Sequence, residues 1–167
     1  MILAAVNVAM ADAAIACWEA KYHYVAWRPV TAIRLADTDG NPATSVDPSW
    51  VPLLITPAHP EYPSGHSTVS GAAATVLAHY FGGDSSFNVD SDVMTGVVRS
   101  FPNFAAALAE IVNARVYGGI HSALRVMMDR QRVLLLENMS CSMRSGERMG
   151  TREKMKIGAG RDQNSVG

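Results

Sequence analysis

Apolar residues recur at helical spacing through residues 2–26. Ile2, Val6, Met10, Ala13, Cys17 and Tyr24 fall near one stripe, and no Gly or Pro interrupts them. The pattern predicts a helix that ends at about Arg28, because Pro29 drives the residue before it toward extended geometry. Residues 37–52 hold Asp37, Asp39, Gly40, Pro42, Asp47, Pro48 and Pro52 and read as a long surface loop. A second loop, 56–65, contains Pro57, Pro60 and Pro63. Val69, Ala72, Ala73, Val76, Leu77 and Tyr80 then line one face of a short helix over 67–81, stopped by Gly82–Gly83. Asp84 to Asp92 is an acidic, Ser-rich connection. A third helix is expected over 101–117, with Phe104, Leu108, Ile111 and Arg115 on one stripe and Gly118–Gly119 at its end. No strand alternation or hairpin signal stands out, so the fold class is all-α.

The chain has 167 residues, of which 49% are apolar and 17% charged. That is enough for one domain with a real core. A net charge of −1 gives no global attraction to nucleic acid or anionic membrane, so any anion site must be a local cluster of cations. The two cysteines, Cys17 and Cys141, form no metal or redox motif, and Cys17 reads as a small core residue. Residues 1–18 are apolar but carry Asn7 and Asp12, and no basic segment precedes them. They are expected to fall short of the roughly 20 residues of a membrane span, and the helical pattern running unbroken into Lys21 argues against a signal peptide. A soluble protein is expected, with its compartment and oligomeric state unassigned.

Composition changes after residue 121. The last 46 residues hold nine of the fourteen Lys/Arg and six of the nine Met, and no aromatic residue follows Tyr117. A core over 1–121 and a divergent basic tail over 122–167 are expected. A basic amphipathic helix near 124–139 and a disordered stretch over 140–167 fit the tail's pattern. Without interleaved aromatics the tail does not read as a nucleic-acid binder.

Charged residues on apolar stripes carry the candidate chemistry. Lys21 and Arg28 lie seven residues apart, about two helical turns, and so share one face. The stripe through Met10 and Cys17 leads into Lys21, and Arg115 closes the stripe of Phe104, Leu108 and Ile111. An inward cation is costly unless an anion neutralises it, although each could instead snorkel to solvent or pair with an acid. Pro63-Ser64-Gly65-His66 shapes a turn before a helix whose free N–H groups, with a hydroxyl beside them, suit an oxyanion. Ser64 is equally an ordinary N-cap and His66 equally a structural histidine. His121 follows the Gly118–Gly119 break, where a neutral imidazole could act as a phosphate nucleophile or metal ligand.

Together these residues resemble a known family. Lys21-x6-Arg28-Pro29, Pro63-Ser64-Gly65-His66 and Arg115-x5-His121 appear in order, over about residues 15–121, with the spacing of the phosphatidic-acid-phosphatase/vanadium-haloperoxidase superfamily. Trp27-Arg28-Pro29, Thr31-Ala32-Ile33-Arg34, Asp47-Pro48-x-Trp50, Glu61-Tyr62 and Arg115-Val116-Tyr117-Gly118-Gly119-Ile120-His121 look similar to its soluble haloperoxidase branch. The resemblance implies the C-terminal part of a longer helical bundle, with an N-terminal portion missing.

By that resemblance Lys21, Arg28 and Arg115 hold the oxygens of vanadate or phosphate, Ser64 and Gly65 donate to it, His121 bonds the metal or attacks phosphorus, and His66 is the general acid–base. The implied function is halide oxidation by hydrogen peroxide at histidine-bound vanadate. One alternative is a soluble acid phosphatase acting on phosphate monoesters through a phosphohistidine; another is an inactive, truncated oxyanion-binding remnant. The match breaks at His121-Ser122-Ala123-Leu124-Arg125. Relatives place an Asp three or four residues after this histidine to orient it, whereas the next acid here is Asp129. A one-base shift of reading frame just after His121 accounts for this break and for the change in composition; a divergent tail is the alternative.

Overall fold

A computed structural model of the protein describes residues 1–123. The first helix, α1, spans Ile2–Tyr24. It stops at Val25 rather than at Arg28: Val25 takes the left-handed conformation (φ 45°, ψ 46°), and its N–H closes on the Lys21 carbonyl. A β-branched residue seldom adopts that conformation. The chain then runs extended through Arg28, as the residue before a proline must, and Pro29 opens a second short helix, α2, Pro29–Arg34. Lys21 and Arg28 therefore do not share a helical face. One sits in the last turn of α1, the other caps α2, and the reversal between them turns both inward.

A single 3-10 turn, Ala36–Thr38, leads into the loop expected over 37–52. The loop is pinned at several points: Asp47 N–H to the Ile33 carbonyl, Arg34 Nε–H to the Trp50 carbonyl at 2.8 Å, and Leu54 N–H to the Gly118 carbonyl at 3.0 Å. Helix α3 spans Gly65–Phe81 and α4 spans Phe104–Tyr117. Each starts on a side chain that accepts a backbone N–H, Ser64 from Ser67 and Asn103 from Ala106. Helix α3 packs between α1 and α4, and Leu108 and Val112, with Val116 against them, form a buried cluster on α4.

The helical architecture stands, with one addition. The connection after α3 contains an antiparallel hairpin, β1 (Phe87–Asp90) and β2 (Val98–Phe101), in register Phe87↔Phe101 and Asp90↔Val98. Its strands are four residues long and almost wholly exposed, so they bury no alternating face that a sequence pattern could display. What holds it is aromatic: Phe87 meets Phe101 at 5.5 Å and stacks on Phe104 of α4 at 4.9 Å.

By length and apolarity α1 meets the requirement for a membrane span, because it runs on beyond residue 18. Only 6% of that apolar window is buried, although α1 buries Cys17 and Lys21 and packs along α3. The basic helix expected over 124–139 and the tail over 140–167 lie outside the described residues.

Candidate functional site

The loop before α3 builds the floor of the site. Glu61, Tyr62, Pro63 and Ser64 are all buried, and the Tyr62–Pro63 peptide bond is cis. Lys21 reaches this loop from α1. Its fully buried ammonium donates to the carbonyls of Pro60 (2.9 Å), Glu61 (3.0 Å) and Pro63. Three carbonyl dipoles thus compensate a charge that would otherwise be costly to bury. The Glu61 N–H donates to the Ala26 carbonyl, so the loop is tied to both sides of the α1–α2 reversal.

Arg28 clamps the other side. Its Nε–H donates to the His59 carbonyl at 3.0 Å and its Nη1 to the Ile120 carbonyl at 2.7 Å. Nη1 also lies 3.0 Å from His121 Nε2, and Nη2 lies 3.0 Å from His59 Nδ1. Arginine is only a donor, so His121 Nε2 accepts, whereas His59 Nδ1 stands between the Arg28 donor and the Pro60 carbonyl, an acceptor 3.2 Å away. The residue after α4 needs a special backbone to reach this clamp. Gly119 has φ +71°, and a Cβ there would stand 3.0–3.1 Å from Pro52, which leaves room only for glycine.

A cavity of about 280 Å³ opens over this floor, lined among others by Trp18, Arg28, His59, Gly65, His66, Arg115 and His121. Five of the seven residues singled out in the sequence therefore face one space: Arg28, Gly65, His66, Arg115 and His121. Lys21 and Ser64 stand directly behind it. Ser64 is fully buried as the N-cap of α3, its oxygen accepting the Ser67 hydroxyl at 3.0 Å. Gly65 sits against the Trp18 indole; a Cβ there would lie 3.1 Å from the ring.

Electrostatically the cavity is strongly positive. Among the described residues, neither Arg28 nor Arg115 has a carboxylate within 4 Å. Arg115 Nε is a buried donor without a partner, like Thr56 Oγ1 and Ser122 Oγ. Burial lowers the pKa of Arg28; Glu61 pulls it back up and the charge of Arg115 lowers it further. Burial alone lowers Arg115. Burial, then Arg28, Lys21, Arg115 and His66, push His121 down to about 3, so it is a neutral imidazole near pH 7. Burial and then the neighbouring charges, Arg115 foremost, lower His66. A pocket rich in donors, with an unmet buried N–H and, among the described residues, no carboxylate within 4 Å of either guanidinium, fits a multiply charged oxyanion.

Three residues at this site escaped the sequence reading. Trp18 forms a wall, and its ring lies 5.7 Å from the Lys21 ammonium. His59 lines the cavity and is tilted on Trp18 at 5.2 Å. Burial lowers its pKa, a backbone bond to Pro60 opposes that, and Lys21 and Arg28 lower it further. Glu61 is buried beneath His121, with its Oε1 3.9 Å from His121 Nδ1. The available signal was a histidine and an acid flanking Pro60, just ahead of the Ser64 turn.

Comparisons with known proteins bear on the family and the fold. The family model described as the VCPO second helical-bundle domain matches residues 1–130. Vanadium chloroperoxidase of Curvularia inaequalis is 33% identical over 110 residues, covering 56% of this chain and 17% of that protein. The crystal structure of the first bacterial vanadium-dependent iodoperoxidase superposes with a TM-score of 0.68 and 40% identity, over 82% of this chain and 32% of its own. A bacterial vanadium-dependent chloroperoxidase in its apo form gives a TM-score of 0.61 at 25% identity, over 81% of this chain and 34% of that one. The chain thus spans about a third or less of the length of these relatives.

Proposed function

The chain belongs to the family of the second helical-bundle domain of vanadium chloroperoxidase, and from that premise we propose that its cavity holds vanadate for the oxidation of halide by hydrogen peroxide. The observation that carries this reading is the convergence of Arg28, Arg115 and three imidazoles on one small space in which, among the described residues, the guanidiniums have no carboxylate counterpart. Relatives whose names carry vanadium support it.

In this reading Arg28 and Arg115 hold the oxyanion's charge, Arg115 through the Nε–H that lacks a partner. The N-terminus of α3 at Gly65 adds its dipole and free N–H groups. Lys21, engaged with the loop carbonyls, supplies positive potential from behind and fixes the turn; Ser64 caps the helix and fixes its angle. His121 presents the neutral Nε2 as the ligand atom. Held by these residues, vanadate would supply the Lewis acidity that activates hydrogen peroxide toward halide. His66, at the open side of the cavity, takes and returns the proton of the entering peroxide.

The neutral His121 also supports a second reading, phosphate monoester hydrolysis. There its Nε2 lone pair bonds to phosphorus as the ester P–O bond breaks, and His66 gives the departing alcohol its proton; water then releases phosphate from the histidine. The full chain is to be assayed with vanadate, hydrogen peroxide and iodide or bromide, and separately with p-nitrophenyl phosphate. Halide oxidation that requires vanadate is the expected result. Phosphatase turnover inhibited by vanadate, without halide oxidation, overturns it in favour of the second reading. Binding of vanadate with no turnover of either kind leaves an oxyanion-binding protein.

A further inference from the structure

We propose that Glu61 is the positioning residue for His121: its carboxylate holds the imidazole proton on Nδ1 and so keeps the Nε2 lone pair aimed into the cavity. This rests on the reading that His121 is the group that meets the oxyanion.

One hydrogen bond and one nearby buried charge bias the tautomer from opposite sides, the second across a distance longer than a hydrogen bond. Arg28 Nη1 lies 3.0 Å from His121 Nε2, and a guanidinium can only donate, so Nε2 must accept. A singly protonated ring then carries its proton on Nδ1, and the nearest carboxylate oxygen to Nδ1 is Glu61 Oε1, at 3.9 Å. The same Oε1 accepts the backbone N–H of Ser122, the residue after His121. Glu61 therefore bonds the backbone of the segment that carries the ring and sets its carboxylate beneath Nδ1. The carboxylate cannot swing away easily. It is 2% exposed, its N–H is bonded to Ala26, and its carbonyl receives the Lys21 ammonium. Lys21 and Arg28, on the two sides of the α1–α2 reversal, thus hold the acid and the imidazole respectively.

The acid expected shortly after His121 is not needed in this arrangement. A carboxylate arriving from the loop before α3, sixty residues upstream, occupies that role. Oriented imidazoles of this kind lose about 10–100-fold in affinity when the outer partner is removed.

The test uses the full chain. Two-bond nitrogen–proton correlation NMR of the oxyanion-free protein reads the His121 tautomer, with the resonance assigned by its loss in His121→Gln. The expected result is a proton on Nδ1. A proton on Nε2 in the wild type overturns the proposal, whatever any variant does. Glu61→Leu is then expected to mix the tautomers and to weaken vanadate and phosphate binding, read by calorimetry, about 10–100-fold. Glu61→Gln, whose amide oxygen can still accept both N–H groups, is expected to retain the tautomer and most of the affinity. A folded Glu61→Leu with Nδ1 still protonated and unchanged affinity overturns it equally. Wild type that binds neither anion, while Glu61→Leu still mixes the tautomers, supports Glu61's role and removes the oxyanion reading.

Discussion

At the scale of single residues, the site is a concentration of like charge that only its surroundings make tolerable. His121 records this most directly. Its pKa stands at about 3 in the folded protein, pushed there by burial first and by Arg28, Lys21 and Arg115 after it. In the unfolded chain the same group protonates near its ordinary 6.5. Between those values the unfolded state binds a proton that the folded state refuses, so this contribution to stability is complete above pH 6.5 and is lost as the pH falls toward 3. His59 and His66 act in the same direction, since the folded protein lowers both. The melting temperature is therefore expected to drop through this interval in anion-free buffer, and His121→Gln, which cannot protonate, to drop less steeply. Parallel melting curves for the two proteins, recorded from pH 7 to pH 4, check this.

At the scale of elements, each part of the site is delivered by the end of a helix. Helix α1 carries Lys21 in its last turn, Arg28 caps the start of α2, Ser64 caps α3 ahead of Gly65, and α4 carries Arg115 in its last turn, with His121 beyond Gly118–Gly119. Helix ends leave backbone groups unpaired, so their clustering gathers dipoles as well as side chains. The two capped helices allow a comparison. Asn103→Ala and Ser64→Ala each remove a side-chain oxygen that accepts a backbone N–H, and each is expected to cost about 1 kcal/mol of stability. Only Ser64→Ala should also weaken phosphate or vanadate binding, because α3 starts at the cavity and α4 starts away from it. Urea denaturation and calorimetric titration of the two variants separate the outcomes. Equal affinity in both would mean that the start of α3 plays no part in binding.

At the scale of the whole molecule, segments near residues 18, 28, 59, 65, 115 and 121 meet at one cavity, so an anion there stitches distant parts of the chain together. Such a ligand stabilises the folded state by mass action: phosphate at 100 times its dissociation constant should raise the unfolding free energy by about 2.7 kcal/mol. Sodium chloride at the same ionic strength should not. A thermal melt with each salt checks it, and equal shifts would point to general screening instead of a site. Helix α1 also carries an exposed apolar face, on which Leu3 and Ile15 are 75% and 69% exposed.

Local information settled a good deal. Apolar periodicity and Gly or Pro punctuation placed α1, α3 and α4, because helix burial is written every three to four residues along one segment. Residue type and spacing also marked Lys21, Arg28, Ser64, Gly65, His66, Arg115 and His121, five of which face the cavity while two support it from behind. The hairpin stayed hidden, since strands of four exposed residues held by a Phe87–Phe101–Phe104 contact display no alternating pattern. So did the end of α1, which depends on the backbone of Val25 and not on Pro29. Tertiary structure alone decided the partners. That Lys21 is met by the carbonyls of Pro60, Glu61 and Pro63, that Arg28 reaches His121, and that Glu61 lies under Nδ1 are contacts across 39 to 93 residues. No spacing rule spans such separations. The neutrality of His121 is likewise a product of burial and assembled charge, which exist only once the chain has folded.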